Sequence, residues 1–209
     1  TGNEYIVDND DTFRVEKNTI QCYTQRFDNN KYLAFFRSPF NSKNNLSYLH
    51  NVYNEKLIKY FNLGKQCIAV NMIGTDFQDR NNGSDQDSDS GYTTDQYDIV
   101  EHARLCYINY PTIVNNIPKD KNVYSKTMDD YARVDNNLSN SQLDIGESSN
   151  LAQIAQTYTC NYTDEKYGNY VCILSVLAQV AIDNAKRRFD IDLSNEIKRI
   201  KNDMDIKNN

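Results

Sequence analysis

Residues 82–89 read Asn-Gly-Ser-Asp-Gln-Asp-Ser-Asp and set three carboxylates, Asp85, Asp87 and Asp89, at alternate positions. In an extended segment, alternate side chains leave the chain on the same side. The three carboxylates can therefore converge on one point, where their like charges repel unless a cation sits between them. Hard oxygen donors of this kind suit Mg²⁺, Mn²⁺ or Ca²⁺, not zinc. Two other readings compete. One is a solvated acidic loop. The other is a calcium loop, whose first three ligands the triplet fits. Its sixth position would be Ser90 rather than glycine and its twelfth Gln96 rather than glutamate, and strands rather than a helix precede it.

The elements that must position these carboxylates fall into two compositional halves. Residues 1 to about 95 read as short strands at 4–7, 12–15, 19–26, 32–37 and 66–72. They are rich in Val, Ile, Tyr and Phe and are bounded by Asn/Asp clusters such as 8–11 and 28–30. A short helix at 54–61 interrupts them, and the polar loop 76–91 closes the half. From about residue 95 the spacing is helical. The segment 95–107 places Ile99, Ala103 and Cys106 on one face, with Asp95 as N-cap. Segments 127–145, 148–158, 167–189 and 193–204 follow, with Ser148-Ser149-Asn150 as an N-cap for the second of them. Lys186-Arg187-Arg188 falls in the last turn of 167–189, where cations suit the helix dipole. The fold class expected is α+β, with a β portion at 1–95 that carries the metal loop and a helical extension at 96–209.

Composition narrows the function. Hydrophobic residues are 39% and charged residues 25% of 209, which describes a soluble globular protein. The net charge of −6 excludes a uniformly basic surface for nucleic acid, so a polyanion would need a local basic patch or a bridging metal. Five cysteines without a C-x-x-C pair, mostly among apolar neighbours, read as buried reduced thiols in a cytoplasmic protein. Two histidines without ligand spacing argue against zinc. The longest apolar run, 170–182, is broken by Ser175 and Gln179 and is too short for a bilayer, so no membrane partner is expected. Richness in Asn, Asp, Lys, Ile and Tyr suggests an AT-rich source such as a phage or mobile element.

Several blocks, taken in order, carry a family resemblance. Arg37-Ser38-Pro39 ends a hydrophobic strand, a second apolar strand covers 67–72, and Gly83-Ser84-Asp85-Gln86-Asp87-Ser88-Asp89 follows. The helical half adds Gly146-Glu147-Ser148-Ser149-Asn150-Leu151-Ala152 and Leu177-Ala178-Gln179-Val180-Ala181-Ile182-Asp183-Asn184-Ala185-Lys186. The set resembles the second double-psi β-barrel of the two-barrel RNA polymerases and the segment after it. That family includes the largest subunit of cellular RNA polymerases, the RNA-dependent RNA polymerases of eukaryotic RNA silencing, and bacterial and phage-borne single-chain relatives. The lead-in Gly83-Ser84-Asp85 is similar to the silencing type.

The resemblance implies a double-psi-like β-barrel followed by a helical extension, and a nucleotidyltransferase active in transcription. Asp85, Asp87 and Asp89 would hold the catalytic Mg²⁺, with Mn²⁺ as a substitute. A 3′-hydroxyl would attack the α-phosphate of a ribonucleoside triphosphate, whose own Mg²⁺ stabilises the leaving pyrophosphate. Arg37 and Asn82 would contact the ribose, although Asn82 sits one residue further from the triplet than the cellular pattern has it. Lys186 would contact phosphate. The partners implied are a nucleic acid template, ribonucleoside triphosphates, and a first barrel in the same or another chain. That first barrel finds no place in 209 residues, so the expectation is a catalytic-loop portion of a larger polymerase, inactive by itself. Gln86 replaces the family's apolar residue, Ser88 its glycine, and Asn41-Ser42-Lys43-Asn44 the silencing H-P-G-D segment. These departures, with the missing first barrel, favour the alternative of a non-catalytic metal-binding or scaffolding module derived from such a barrel.

Overall fold

The computed structural model describes residues 4–8, 11–14, 18–85, 89–121, 124–161, 164–184 and 189–205, with side chains from Asn18 onward. Strands occupy the first part of the chain and long helices the second, an α+β arrangement. Two compact units are formed, residues 1–38 with 43–112, and residues 39–42 with 113–209.

In the first unit, β1 (Glu4–Asp8) and β2 (Asp11–Arg14) make an antiparallel hairpin. A curled five-stranded sheet is built from β3 (Ile20–Tyr23), β4 (Lys31–Phe36), β5 (Ser47–Asn51), β6 (Ala69–Val70) and β7 (Tyr92–Thr94). Its order is β6-β3-β5-β4-β7. Only β3 and β5 run parallel; the other pairs are antiparallel.

Alternation along β4 gives the sheet two different faces. Leu33 and Phe35 point one way and join Ile20, Cys22, Leu49 and Phe77 in one core. Ala34 points the other way and packs with Leu46, Ala103 and Cys106 under α3 (Tyr97–Asn109). On that second face the register Tyr32↔His50 and Ala34↔Tyr48 stacks the Tyr32 ring on both Tyr48 and His50, with centroids 5.2 and 4.5 Å away. Two further helices, α1 (Glu55–Tyr60) and α2 (Phe77–Arg80), lie between the strands in sequence. Asn54 caps α1 by accepting from the backbone N–H groups of Lys56 and Leu57.

Strands β5 and β7 and helix α2 are absent from the sequence expectation, and the strand expected at 66–72 is only two residues long. β5 escapes because its polar residues are the buried ones. Asn51 is fully buried, accepts from the Thr24 N–H at 2.9 Å, and donates to the carbonyls of Thr24, Phe27 and Asp28. Ser47 accepts from Asn81 at 2.9 Å. Inward polar groups with partners leave no alternation of apolar and polar types for a sequence reading to detect.

The second unit packs α4 (Met128–Asn161), α5 (Lys166–Asp183) and α6 (Leu193–Asp203). Leu151, Ala152 and Ala155 of α4 meet Val171, Leu174, Leu177 and Val180 of α5 and Leu193, Ile197 and Ile200 of α6. The expected helices at 127–145 and 148–158 are one continuous helix of 34 residues. Ser148 does not cap a new helix. Its hydroxyl donates back to the Asp144 carbonyl at 2.6 Å, within the helix. Asp192 does cap α6, accepting from the Asn195 N–H at 3.1 Å.

All five cysteines are free thiols. Cys22 and Cys106 are buried as expected, whereas Cys67 and Cys160 are exposed. Burial pushes the Cys22 thiol up to about 12. Among the described residues no helix is long and apolar enough to cross a membrane.

Asp144 is an acid buried among helices. Burial pushes its carboxyl above the usual carboxylate range, partly offset by the Ser194 hydroxyl, which donates to it at 3.1 Å. The folded state therefore holds this proton to higher pH than the unfolded chain, and stability falls as pH rises through that window. Asp144→Asn keeps an acceptor for Ser194 and removes the charge. It is expected to raise Tm by a few degrees at neutral pH and to give no gain at a pH where the acid is already protonated. Thermal melts of both forms across pH 3–8 check this; an equal gain at every pH would sink the explanation.

Candidate functional site

Arg37 follows directly on β4 and shares the side of Leu33 and Phe35. The acidic loop approaches the same side from α2. That helix inserts Phe77 against Phe35, with ring centroids 5.1 Å apart, and carries a buried arginine at its end. The Arg80 side chain is 3% exposed. Its Nε and Nη2 donate to Asp76 at 3.3 and 3.2 Å, Nη1 to the Asn44 carbonyl at 3.1 Å, and Nη2 to the Tyr110 carbonyl at 3.2 Å. The guanidinium lies 4.5 Å from the Tyr107 ring centre. Asp76 also accepts from Thr112 and Tyr107. Burial, reinforced by the charge of Asp76, pushes the Tyr107 phenol up to about 12.

After α2 the chain turns through two consecutive left-handed residues, Asn82 (φ 58°) and Gly83 (φ 65°). Asparagine and glycine are the residues that adopt this conformation at least cost. Asn45, fully buried, fixes the turn by donating to the Arg80 carbonyl at 2.9 Å and to Asn82 Oδ1 at 3.1 Å. Asn81 donates to Ser47 and to the Phe77 carbonyl. The Ser84 N–H closes onto the Gln78 carbonyl at 3.1 Å.

Beyond this base the loop meets Arg37. Arg37 Nη2 donates to Asp89 Oδ1 at 2.5 Å across 52 residues of sequence, and its Nη1 approaches the carbonyls of Asn81 and Asn82 at 3.4 Å. The other oxygen of Asp89 accepts from the Asp85 N–H at 2.9 Å. Arg37, Asp85 and Asp89 line a cavity of about 850 Å³. Phe35, Ile68, Val70, Met72 and Phe77 give it apolar wall, and Arg26 and Lys65 contribute two further cations.

Of the residues singled out from sequence, Arg37, Asp85 and Asp89 come together here. Asp87 and Lys186 lie outside the described residues. Asn82 is buried, and its carboxamide oxygen faces Asn45. The residues missed are those that hold the loop from beneath: Arg80, Asn45, Asn81 and Phe77. One signal was present in the sequence. Asp76 and Arg80 stand at i and i+4, the spacing of a helical ion pair.

Among the described residues, oxygen donors of the kind a hard dication takes are present, but not as an assembled ligand set. Asp85 and Asp89 offer only oxygen, and a carboxylate has about four acceptor positions, of which two at Asp89 are taken by the bonds just described. Among the described residues no group of three His, Cys, Asp or Glu side chains is placed to hold a metal, and the third carboxylate of the triplet is Asp87. Comparison with known protein families, with curated proteins and with solved structures returns no match.

Two substitutions test how the loop is held. Arg80→Leu removes four hydrogen bonds and leaves Asp76 without its cation; the expected loss is about 3 kcal/mol, read by urea unfolding. A Cβ on Gly91 would run into the Phe35 ring, so Gly91→Ala is expected to cost about 1–3 kcal/mol. Phe35→Leu in the same chain should recover part of that loss, and strict additivity of the two changes would count against the contact.

Proposed function

We propose that this chain is the metal-bearing catalytic region of a two-barrel RNA polymerase, a nucleotidyltransferase that extends RNA from ribonucleoside triphosphates. The observation that carries the reading is the contact of Arg37 with Asp89. It joins the two sequence blocks whose order resembles the family, and it does so on the wall of a cavity large enough for a nucleotide. The curled sheet around that cavity is compatible with part of a double-psi barrel, which is the fold proposed here for the first unit.

On this reading Asp85, Asp87 and Asp89 present the oxygen donors for Mg²⁺. When bound, that ion would lower the pKa of a 3′-hydroxyl and screen the charge developing at the α-phosphate. The chain's own residues do the positioning. The Arg37 guanidinium donates in a planar fork, which suits ribose hydroxyls or phosphate oxygens. The buried base of the loop, from Asn45 to Arg80, fixes where the acidic segment begins. The phenyl groups of Phe35 and Phe77 give the cavity apolar wall, where electrostatic contacts strengthen. The partners proposed are a nucleic acid template, the triphosphates, and a first barrel that supplies further cations.

The test is RNA synthesis by the natural polypeptide that contains this chain. It would be supplied with Mg²⁺ or Mn²⁺, four ribonucleotides and single-stranded templates, beside an Asp87→Ala variant. Template-dependent product in the first and background in the second is the expected result. A folded, cation-binding protein that makes no product overturns the polymerase reading and leaves a non-catalytic module.

A further inference from the structure

The cavity beside the acidic loop is lined wholly by residues of the first unit, and its charges are unevenly matched. Arg37 and Asp89 neutralise each other in direct contact. Among the described lining that leaves two cations, Arg26 and Lys65, against the single carboxylate of Asp85. Both cations are exposed. Arg26 Nη1 donates at 3.4 Å to a neutral group, the Gln66 carboxamide. Among the described residues neither Arg26 nor Lys65 is paired with a carboxylate.

The sheet explains why the two cations are neighbours. β3 and β6 run antiparallel, with Cys22 opposite Val70 and Tyr23 opposite Ala69. Residues that follow Tyr23 therefore lie across from residues that precede Ala69. Arg26 and the Lys65-Gln66 pair come from those two extensions and stand at the same end of the ladder. The wall beside them is apolar. Phe27, Ile68 and Met72 line the cavity and pack against the core of the unit. A small inorganic anion would leave that wall wet, and an uncharged ring would make no use of the cations. A cavity of about 850 Å³ with both features suits a ligand that has an anionic part and a planar apolar part.

We propose that Arg26 and Lys65 form an anion subsite of this cavity, which takes the phosphates of a nucleotide while its base lies on the apolar wall at Phe27, Ile68 and Met72. The guanidinium offers phosphate oxygens a planar fork, and the ammonium adds a compact charge beside it. The inference stands on the cavity's own charge and lining and needs no metal. It goes beyond the polymerase reading, on which the same pair would be where this chain receives the triphosphate.

The experiment measures ATP affinity by calorimetry in the presence of EDTA, on this chain and on variants checked for folding by circular dichroism. ATP should bind more tightly than adenosine or tripolyphosphate, and more weakly as potassium chloride is raised. Arg26→Gln or Lys65→Gln should each weaken binding about fivefold, and the pair together about twentyfold. Lys59→Gln removes a cation of α1 that lies outside the cavity lining, and should leave the affinity unchanged. A second readout locates the ligand. Cys67 is exposed and lines the cavity, whereas Cys160 is exposed on α4 of the second unit. ATP should slow alkylation of Cys67 by iodoacetamide and leave Cys160 unprotected. Unchanged affinity in the folded double variant, or an unprotected Cys67 at saturating ATP, overturns the subsite. So does a folded parent chain that binds no ATP, or adenosine or tripolyphosphate binding as tightly as ATP. The polymerase reading is judged separately by RNA synthesis, and it survives each of these results if a first barrel alone holds the phosphates.

Discussion

A cation buried in a protein interior is costly unless it is paired and hydrogen-bonded, and the first unit is organised around one that is. Arg80 has lost nearly all contact with water, and its guanidinium bonds to a carboxylate and two backbone carbonyls while lying against a phenol ring. Those partners come from separate places in the chain: Asp76 from the start of α2, Asn44 from the single turn of 3-10 helix at Lys43–Asn45, Tyr110 from the end of α3. Any shift of one element uncovers a donor or an acceptor somewhere else. The acidic loop begins two residues later, so its origin is fixed by the same bonds. A less demanding residue at position 80 would leave the loop free to slide.

The first unit shows why some elements were readable and others were not. β4 stood out because its run of Tyr, Leu, Ala and Phe follows the Asn/Asp cluster at 28–30. α5 stood out because Ile173, Val176, Leu177, Val180 and Ala181 repeat at helical spacing, although the fold buries Leu174 and leaves Ile173 exposed. β5 and α2 are held by asparagine, serine and arginine whose partners lie tens of residues away, and no local pattern records such a partner. The same holds for the joint in α4. Gly146 and the two serines look like a break, yet the Ser148 hydroxyl is satisfied on the Asp144 carbonyl inside the helix and Leu151 and Ala152 pack into the core just beyond it. The change of element type falls near residue 95, whereas the first packing unit extends to Thr112, because α3 covers the second face of the sheet.

The site divides in a similar way. The carboxylates and Arg37 were visible as residue types in a suggestive order. That Arg37 meets Asp89 is a property of alternation on β4 and of the left-handed turn at Asn82-Gly83, and sequence spacing alone does not contain it. Asn82 illustrates the limit. Its position before the triplet invites a role toward ligand, and in the fold its carboxamide oxygen accepts from the buried Asn45. The overall charge of −6 also says little about the cavity, where Arg26, Arg37 and Lys65 stand against two described carboxylates. Local balance, not net charge, decides what such a cavity attracts.

The unbroken α4 has a mechanical consequence. At a rise of 1.5 Å per residue, its 34 residues make a rod about 50 Å long. Its second half is clamped by α5 and α6, while Tyr131, Val134 and Leu138 of the first half are exposed. Among the described residues the start of that exposed half is held by the backbone, by Asp130, which accepts from Ser125 and pairs with Arg133, and by the Thr127 hydroxyl, which accepts from the Asp130 N–H. One continuous helix therefore joins a packed segment to an exposed one, and the exposed segment is the part expected to exchange its amide protons first.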